Sequence, residues 1–398
     1  MSFGCLRLSA SLFRTVQRNF TVNTASLSFS GISASSRVRL YSKFRYSRRV
    51  LEIMSEEKGL QGANLKIGTH DGKFHCDEVL ACFMLRQLDK YRNAEIVRTR
   101  KDEILDQCDI VVDVGGVFNK EKLRFDHHQK SFGDSLSSLK PEVGDKYTIR
   151  LSSAGLIYVY FGEDIISTIL FREAGITLDK KSLAMIYKMV YEKFIQEIDA
   201  IDNGVPMYPG EERYSINTNI NSRIGDLNGR WMAVKTPFDT EAAFRKAMDV
   251  VGNEFIDKII YYSQSWLPAR SIVEDALKNR FKTHESGSIL ILEQFCPWKE
   301  HLAILETEQK IEGSIKYVIF NDKEADVRCM AVPITPDSVI CRKFLHKDWR
   351  GLRGDELEKI SGIEKINFVH HNGFIGGAFN REAALKMAEK SLLGNYTD

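Results

Sequence analysis

The chain has 398 residues, 43% apolar and 28% charged, with a net charge of +2. That length exceeds one ordinary core and implies two domains plus appendages. Seven cysteines without a CxxC pair argue against a disulfide framework or a paired-cysteine zinc site, and no uninterrupted apolar run reaches the roughly eighteen residues of a membrane span.

Residues 1–51 hold nine Lys or Arg and no acid, which leaves the rest of the chain at −7. This leader is rich in Arg and Ser, and Leu6, Leu8, Leu12 and Phe13 share one helical face. It has the composition of a mitochondrial transit peptide for import to the matrix, with Arg39-Leu40-Tyr41-Ser42 as a processing site cut after Tyr41. A basic arm that touches nucleic acid is the alternative. Met54 opens MSEEKGL just beyond it and offers a second start, for an unimported nuclear or cytosolic form.

LKIGTH (65–70) then reads as a strand, CDEVLACFMLRQL (76–88) as a helix and AEIVRTR (94–100) as a strand. KDEILDQC (101–108) reads as a short helix, and DIVVDVGG (109–116) as a buried strand ending in glycines. This alternation predicts βαβ units and a parallel sheet, with ligands gathered beyond the carboxyl ends of the strands. His70 and Asp113 therefore face one crevice. From Ser152 helices dominate: 152–170, 178–204 up to Asn203-Gly204, and 239–281 with a break near Pro268. After Gly287, SILILEQ, KYVIFND and DVRCMAVPI read as strands, GDELEKISG as a helix, NFVHHNG as a strand and NREAALKMAEKSLL as a last helix. The fold class is α/β, a parallel-sheet domain with a helical extension over 60–284 and a smaller α+β domain over 285–398.

The chemistry concentrates in His70, His75, Asp77, Asp113 and Asp126-His127-His128. Imidazoles and carboxylates without thiolates suit divalent ions acting on phosphate, and the reading is a two-metal phosphoesterase. Asp113, alone on a buried strand, is the natural bridge between two ions. Mn²⁺ is preferred because imidazole suits it better than Mg²⁺, which remains the alternative. Asp77 and Glu78 fall in the first turn of a helix, where acids meet the dipole, and Glu78 needs no further role. Cys76 reads as a buried small residue. Asp199 and Asp202 share a helical face, and Asp199 is favoured as the ligand.

THDGKFHCDE, VVDVGG, FDHHQ and EIDAIDNG resemble the four motifs of the DHH phosphoesterase superfamily. LSSAGLIYVYFG, WRGLRGDEL and FVHHNGFIGGAFNREAA extend the resemblance to its eukaryotic branch named for melanocyte-proliferating gene one, over nearly everything past residue 64. The resemblance implies that His70, His75 and Asp113 hold one ion, and Asp77, Asp113, His127 and Asp199 a second, with Asp202 the alternate. It implies that His128 faces the substrate while Asp126 orients an imidazole, and that the site lies in the cleft between two domains. It further implies a glycine-rich substrate loop at Gly373, Gly376 and Gly377, ahead of the helix at Asn380. The superfamily usually carries Asp where this chain has His75. Many relatives place His directly after the glycines, where Ala378 and Phe379 stand here, so the grip falls to His370 and Arg381. Arg350 and Arg353 add phosphate contacts, and Trp349 and Phe374 stack a terminal base. The function so implied is a 3′-to-5′ exonuclease acting on single-stranded RNA. A small-substrate phosphatase, pyrophosphatase or nucleotide phosphodiesterase is the alternative among enzymes, and an inactive metal-binding scaffold the alternative outside them.

Overall fold

The computed structural model describes residues 65–232, 236–322 and 326–394. The leader, its expected processing site and the expected second start at Met54 lie outside them. Two five-stranded sheets, each with helices packed against it, make a mixed α/β architecture.

The first sheet contains β1 (Lys66–Thr69), β2 (Glu95–Arg98), β3 (Ile110–Val112), β4 (Phe118–Asn119) and β5 (Arg124–Phe125), in the order β2-β1-β3-β5-β4. All its pairings are parallel except that of β4 with β5. The Ile-Val-Val of β3 is buried throughout, as expected of a central parallel strand covered on both faces. The register decides where the chemistry lies. Ile67 pairs with Ile110 and Gly68 with Val111, while Val111 pairs with Arg124 and Val112 with Phe125. One residue past the ladder, this alignment sets His70, Asp113 and Asp126 abreast at the carboxyl edge, three neighbouring strands ending in step.

Helix α1 (Cys76–Leu85) is buried on nearly every face, so it must be enclosed rather than laid on the surface. It sits among the helices of the extension. After α2 (Asp102–Leu105) and α3 (Leu136–Leu139) come α4 (Ser153–Ala174), α5 (Lys180–Val190) and α6 (Gln196–Asp202), then α7 (Ile220–Asp226) and α8 (Pro237–Tyr261). Helix α4 is long and apolar enough to cross a bilayer by composition, but most of its apolar stretch is buried in this core. The helix expected over 178–204 is interrupted by a wide π-type turn at Tyr191–Ile195. The break expected near Pro268 is a second such turn, Tyr262–Trp266, before α9 (Leu267–Lys278). A proline cannot donate into the preceding turn, and the widened turn absorbs the lost bond. The Trp266 carbonyl oxygen lies 2.7 Å from the buried His301 ring nitrogen.

After α10 (Arg280–Thr283) the second sheet holds β6 (Ile289–Ile291), β7 (Tyr317–Asn321), β8 (Val327–Ala331), β9 (Ile366–Val369) and β10 (Ile375–Ala378), ordered β6-β7-β8-β10-β9. One layer against it comprises α9 and α11 (Lys299–Gln309), through Val273, Leu277, Leu302 and Leu305. A second core joins β7, β8 and β9 to α12 (Gly354–Ser361) and α13 (Arg381–Leu393). The buried Glu306 carboxylate receives both terminal nitrogens of Arg342 at 2.7 Å, pinning the loop after β8 to α11.

Gly252 on α8 lies so close to the Phe83 ring of α1 that a Cβ there would overlap it. Gly252→Val is expected to cost about 1–3 kcal/mol by overpacking, read by urea denaturation. Combining it with Phe83→Leu should recover part of that loss; no recovery would place the strain elsewhere.

Candidate metal centre

His70 follows β1 directly, and its ring is held from both sides. Nδ1 lies 2.9 Å from the Asp71 carbonyl oxygen, while Nε2 is 3.1 Å from Glu78 and 3.3 Å from Asp113. Burial alone would lower its pKa, but Asp113 and Glu78 outweigh that and carry it up to about 10. Asp113 adopts a left-handed backbone with φ of 60°, uncommon for a residue with a Cβ but tolerated by Asp. Such outliers cluster at functional sites. The turn aims the carboxylate across the sheet edge: one oxygen faces His70, the other faces His127 Nε2 at 3.4 Å. Burial works against its charge, yet His127 and His70 hold the Asp113 carboxyl below the usual range.

His127 Nε2 also lies 3.2 Å from Asp202. Neither approach has hydrogen-bond geometry, and both ring nitrogens of this buried imidazole lack a hydrogen-bond partner. Asp77, likewise buried, receives the Ser153 backbone N–H on one oxygen at 3.3 Å and has no partner on the other. Burial, then Asp113 and Asp202, push its carboxyl well up. Orphaned buried imidazole and carboxylate atoms are costly unless something else satisfies them. Three sets, each with ligand atoms within 4.8 Å of one another, have the donor chemistry for a divalent ion: His70, His75, Glu78 and Asp113; Asp113, His127 and His128; and His75, Asp77 and Asp202. Asp113 and His75 each belong to two sets, so the residues form one continuous cluster.

Asp126 is buried and accepts from Gly116 N–H at 2.6 Å and His128 N–H at 3.0 Å, and it lies 2.7 Å from His128 Nδ1. The His128 side chain is 63% exposed, the arrangement of an oriented imidazole presented outward. Its hydrogen bond to Asp126 raises its pKa against the effect of burial.

Asp199, favoured over Asp202 from the sequence, is in none of these three sets. One oxygen accepts the Ser152 backbone N–H at 2.9 Å and hydroxyl at 2.7 Å, and the other the Tyr191 hydroxyl at 3.1 Å. Burial raises its carboxyl to about 7 against those bonds. A Cβ on Gly155 would collide with it, so α4 approaches α6 closely here. The turn at Tyr191–Ile195 brings the Tyr191 hydroxyl to Asp199, eight residues on, and Asp202 is the acid that meets His127. A spacing of three puts both acids on one face without saying which is already occupied.

Three residues escaped the sequence reading. Glu78 does cap α1, accepting the His75 N–H at 2.8 and 3.0 Å, but it also reaches His70; the signal was its place three residues after His75. The Ser153 hydroxyl lies 3.1 Å from both Asp113 and the Phe125 carbonyl oxygen. With Ser152 it forms a serine pair at the start of an apolar helix, visible in the sequence but mute about its targets.

The substrate residues expected in the second sheet divide. His370, Gly373 and Arg350 meet at the β9–β10 turn, where Gly373 has φ of 70° and a Cβ would press on the Arg350 side chain. Gly376 and Gly377 are not in a loop: they lie inside β10, buried, where a Cβ would strike Met387 and Phe368 respectively. Close packing against Met387 and Phe368 by itself requires glycine at both positions. Arg353 stands over the Phe368 ring. Arg381 opens α13 near Asn321 and Glu293. The Asn380 side chain accepts the Ala383 N–H, at 2.8 Å, and so caps α13. Trp349 is buried and stacked on His346, not offered to a base.

Asp199→Ala is expected to lower stability by about 3 kcal/mol, through lost and orphaned buried hydrogen bonds. Asp202→Ala should leave the melting temperature nearly unchanged and weaken Mn²⁺ binding measured by calorimetry. The reverse pattern would exchange their roles.

The family described as Uncharacterised protein family (UPF0160), labelled MYG1_exonuc, matches residues 66–392. The rat protein named "MYG1 exonuclease" is 47% identical over 82% of this chain and 84% of its own length. The human protein of that name is 46% identical over 82% and 85%, and the Dictyostelium discoideum "MYG1 protein" 46% identical over 83% and 97%. With a match across the whole described fold and relatives this similar, the chain belongs to the UPF0160 family of MYG1 proteins.

Proposed function

We propose that this chain is a divalent-metal-dependent exonuclease of the DHH phosphoesterase type, cleaving terminal phosphodiesters of single-stranded RNA from the 3′ end. The observation that carries the reading is the buried Asp113 carboxylate between His70 and His127, with unsatisfied Asp77 and His127 atoms beside it. The name "MYG1 exonuclease" of close relatives supports the reaction class. In this reading His70, His75 and Asp113 hold one ion, with Glu78 at hand. Asp77, Asp113, His127 and Asp202 hold the other, Asp202 replacing Asp199. Mn²⁺ is the preferred ion, ahead of Mg²⁺. Bound there, such ions supply a water-derived nucleophile at neutral pH and neutralise charge on the phosphoryl group.

The chain's own residues do the rest. Asp126 fixes Nδ1 of His128 and leaves Nε2 outward, where the imidazolium donates a proton to the departing sugar oxygen. Ser153 steadies Asp113 from the helix side. Arg350, Arg353, His370 and Gly373 form the distal substrate contacts. Because the chain past residue 51 carries −7, cationic contacts to phosphate are local rather than spread over the surface. The basic leader supports action in the mitochondrial matrix, and Met54 a second nuclear or cytosolic form.

Purified protein should release mononucleotides from single-stranded RNA with Mn²⁺, release little phosphate from pyrophosphate, and lose activity in EDTA. His128→Ala should cut turnover by about 10²–10⁴-fold with Mn²⁺ affinity unchanged, whereas Asp113→Asn should lose both. Pyrophosphate as the better substrate would replace the exonuclease by a small-substrate phosphatase, and no turnover of any phosphoester would leave a binding scaffold.

A further inference from the structure

The segment between α6 and α8 is tied at both ends to backbone that flanks the cluster. At one end Asn203, next to Asp202, donates its side-chain amide to the Arg150 and Asp199 carbonyl oxygens at 3.0 and 2.9 Å. At the other, Asn228 clamps the Phe74 backbone, accepting its N–H at 2.9 Å and donating to its carbonyl oxygen at 2.7 Å. Phe74 directly precedes His75. Three residues beyond that clamp stands Trp231, 92% exposed, between the exposed Arg230 and Met232. Met207 and Tyr214 of the same segment are exposed as well.

A tryptophan left in water has no folding rationale, and the other three are buried: Trp266, Trp298 and Trp349. Three residues of extended chain span at most about 11 Å, so the Trp231 backbone lies within that reach of Asn228, whose side chain holds the Phe74 backbone next to His75. An aromatic face beside a guanidinium is the chemistry that stacks a base and meets its phosphate. The adjacent carboxylate cluster handles phosphoesters in the reading above, on which this inference rests. We propose that Trp231, with Arg230, is a stacking platform for a base of single-stranded oligonucleotide held in the metal centre, and so a determinant of chain-length preference. It binds nucleotides beyond the cleaved one without sequence preference, because every base offers a π face.

Because Trp231 is the exposed tryptophan, intrinsic fluorescence reports on it. Titrating the full chain with a short oligouridylate in EDTA should quench emission, and Trp231→Ala should abolish that quench. In turnover, Trp231→Ala should raise KM for the oligonucleotide about tenfold with kcat and dinucleotide hydrolysis unchanged, and Trp231→Phe should restore most of it. Quenching without nuclease activity would sink the exonuclease reading and keep the platform. Nuclease activity with neither quench nor KM change would overturn the platform. Trp231→Ala converting a dimer to a monomer in sedimentation, again without quench, would overturn it too and assign the surface to a second copy.

Discussion

Electrostatic repulsion among Asp77, Asp113 and Asp202 is the constraint on which the rest of the site depends. Burial first, and then the neighbouring carboxylates, push the Asp77 and Asp202 carboxyls up, and such crowding opposes folding unless cations sit among them. Within the protein, the His70 and His127 imidazoles pack against the Asp113 carboxylate from either side. The left-handed turn at Asp113, the hydrogen bond from Ser153 and the enclosure of α1 hold that arrangement in place. The left-handed residue costs stability, while the hydrogen bond and the packing of α1 in the core offset that cost.

Most of the sheet edge was legible from the sequence, because strand endings and ligand residues coincide there. His70 and Asp113 each end a strand read from the sequence, and Asp126 follows the two-residue β5, which was not; parallel pairing in register brings all three abreast. What was not legible depended on hydrogen-bond partners remote in sequence. Asp199 and Asp202 look equivalent on a helical wheel. Ser152, Tyr191 and the missing side chain of Gly155 claim Asp199 and leave Asp202 to the cluster.

The second sheet shows the same limit differently. A Gly-Gly pair ahead of a helix reads as a loop, because glycine usually marks a turn. In β10 those glycines make room for Met387 and for Phe368, whose ring Arg328 and Arg353 both approach. Neither need is written near Gly376 in the chain. Burial likewise reverses the expectation for Trp349, an aromatic spent on packing, while Trp231, unremarked in the sequence, stands in water.

The in-step ending of β1, β3 and β5 also says where this protein can change length. An inserted or deleted residue within any of the three would turn its terminal His or Asp to the opposite face of the sheet. The connections face no such rule. Between Asn203 and the buried Ile220 of α7, the exposed run that holds Met207 and Tyr214 can change length without displacing core side chains.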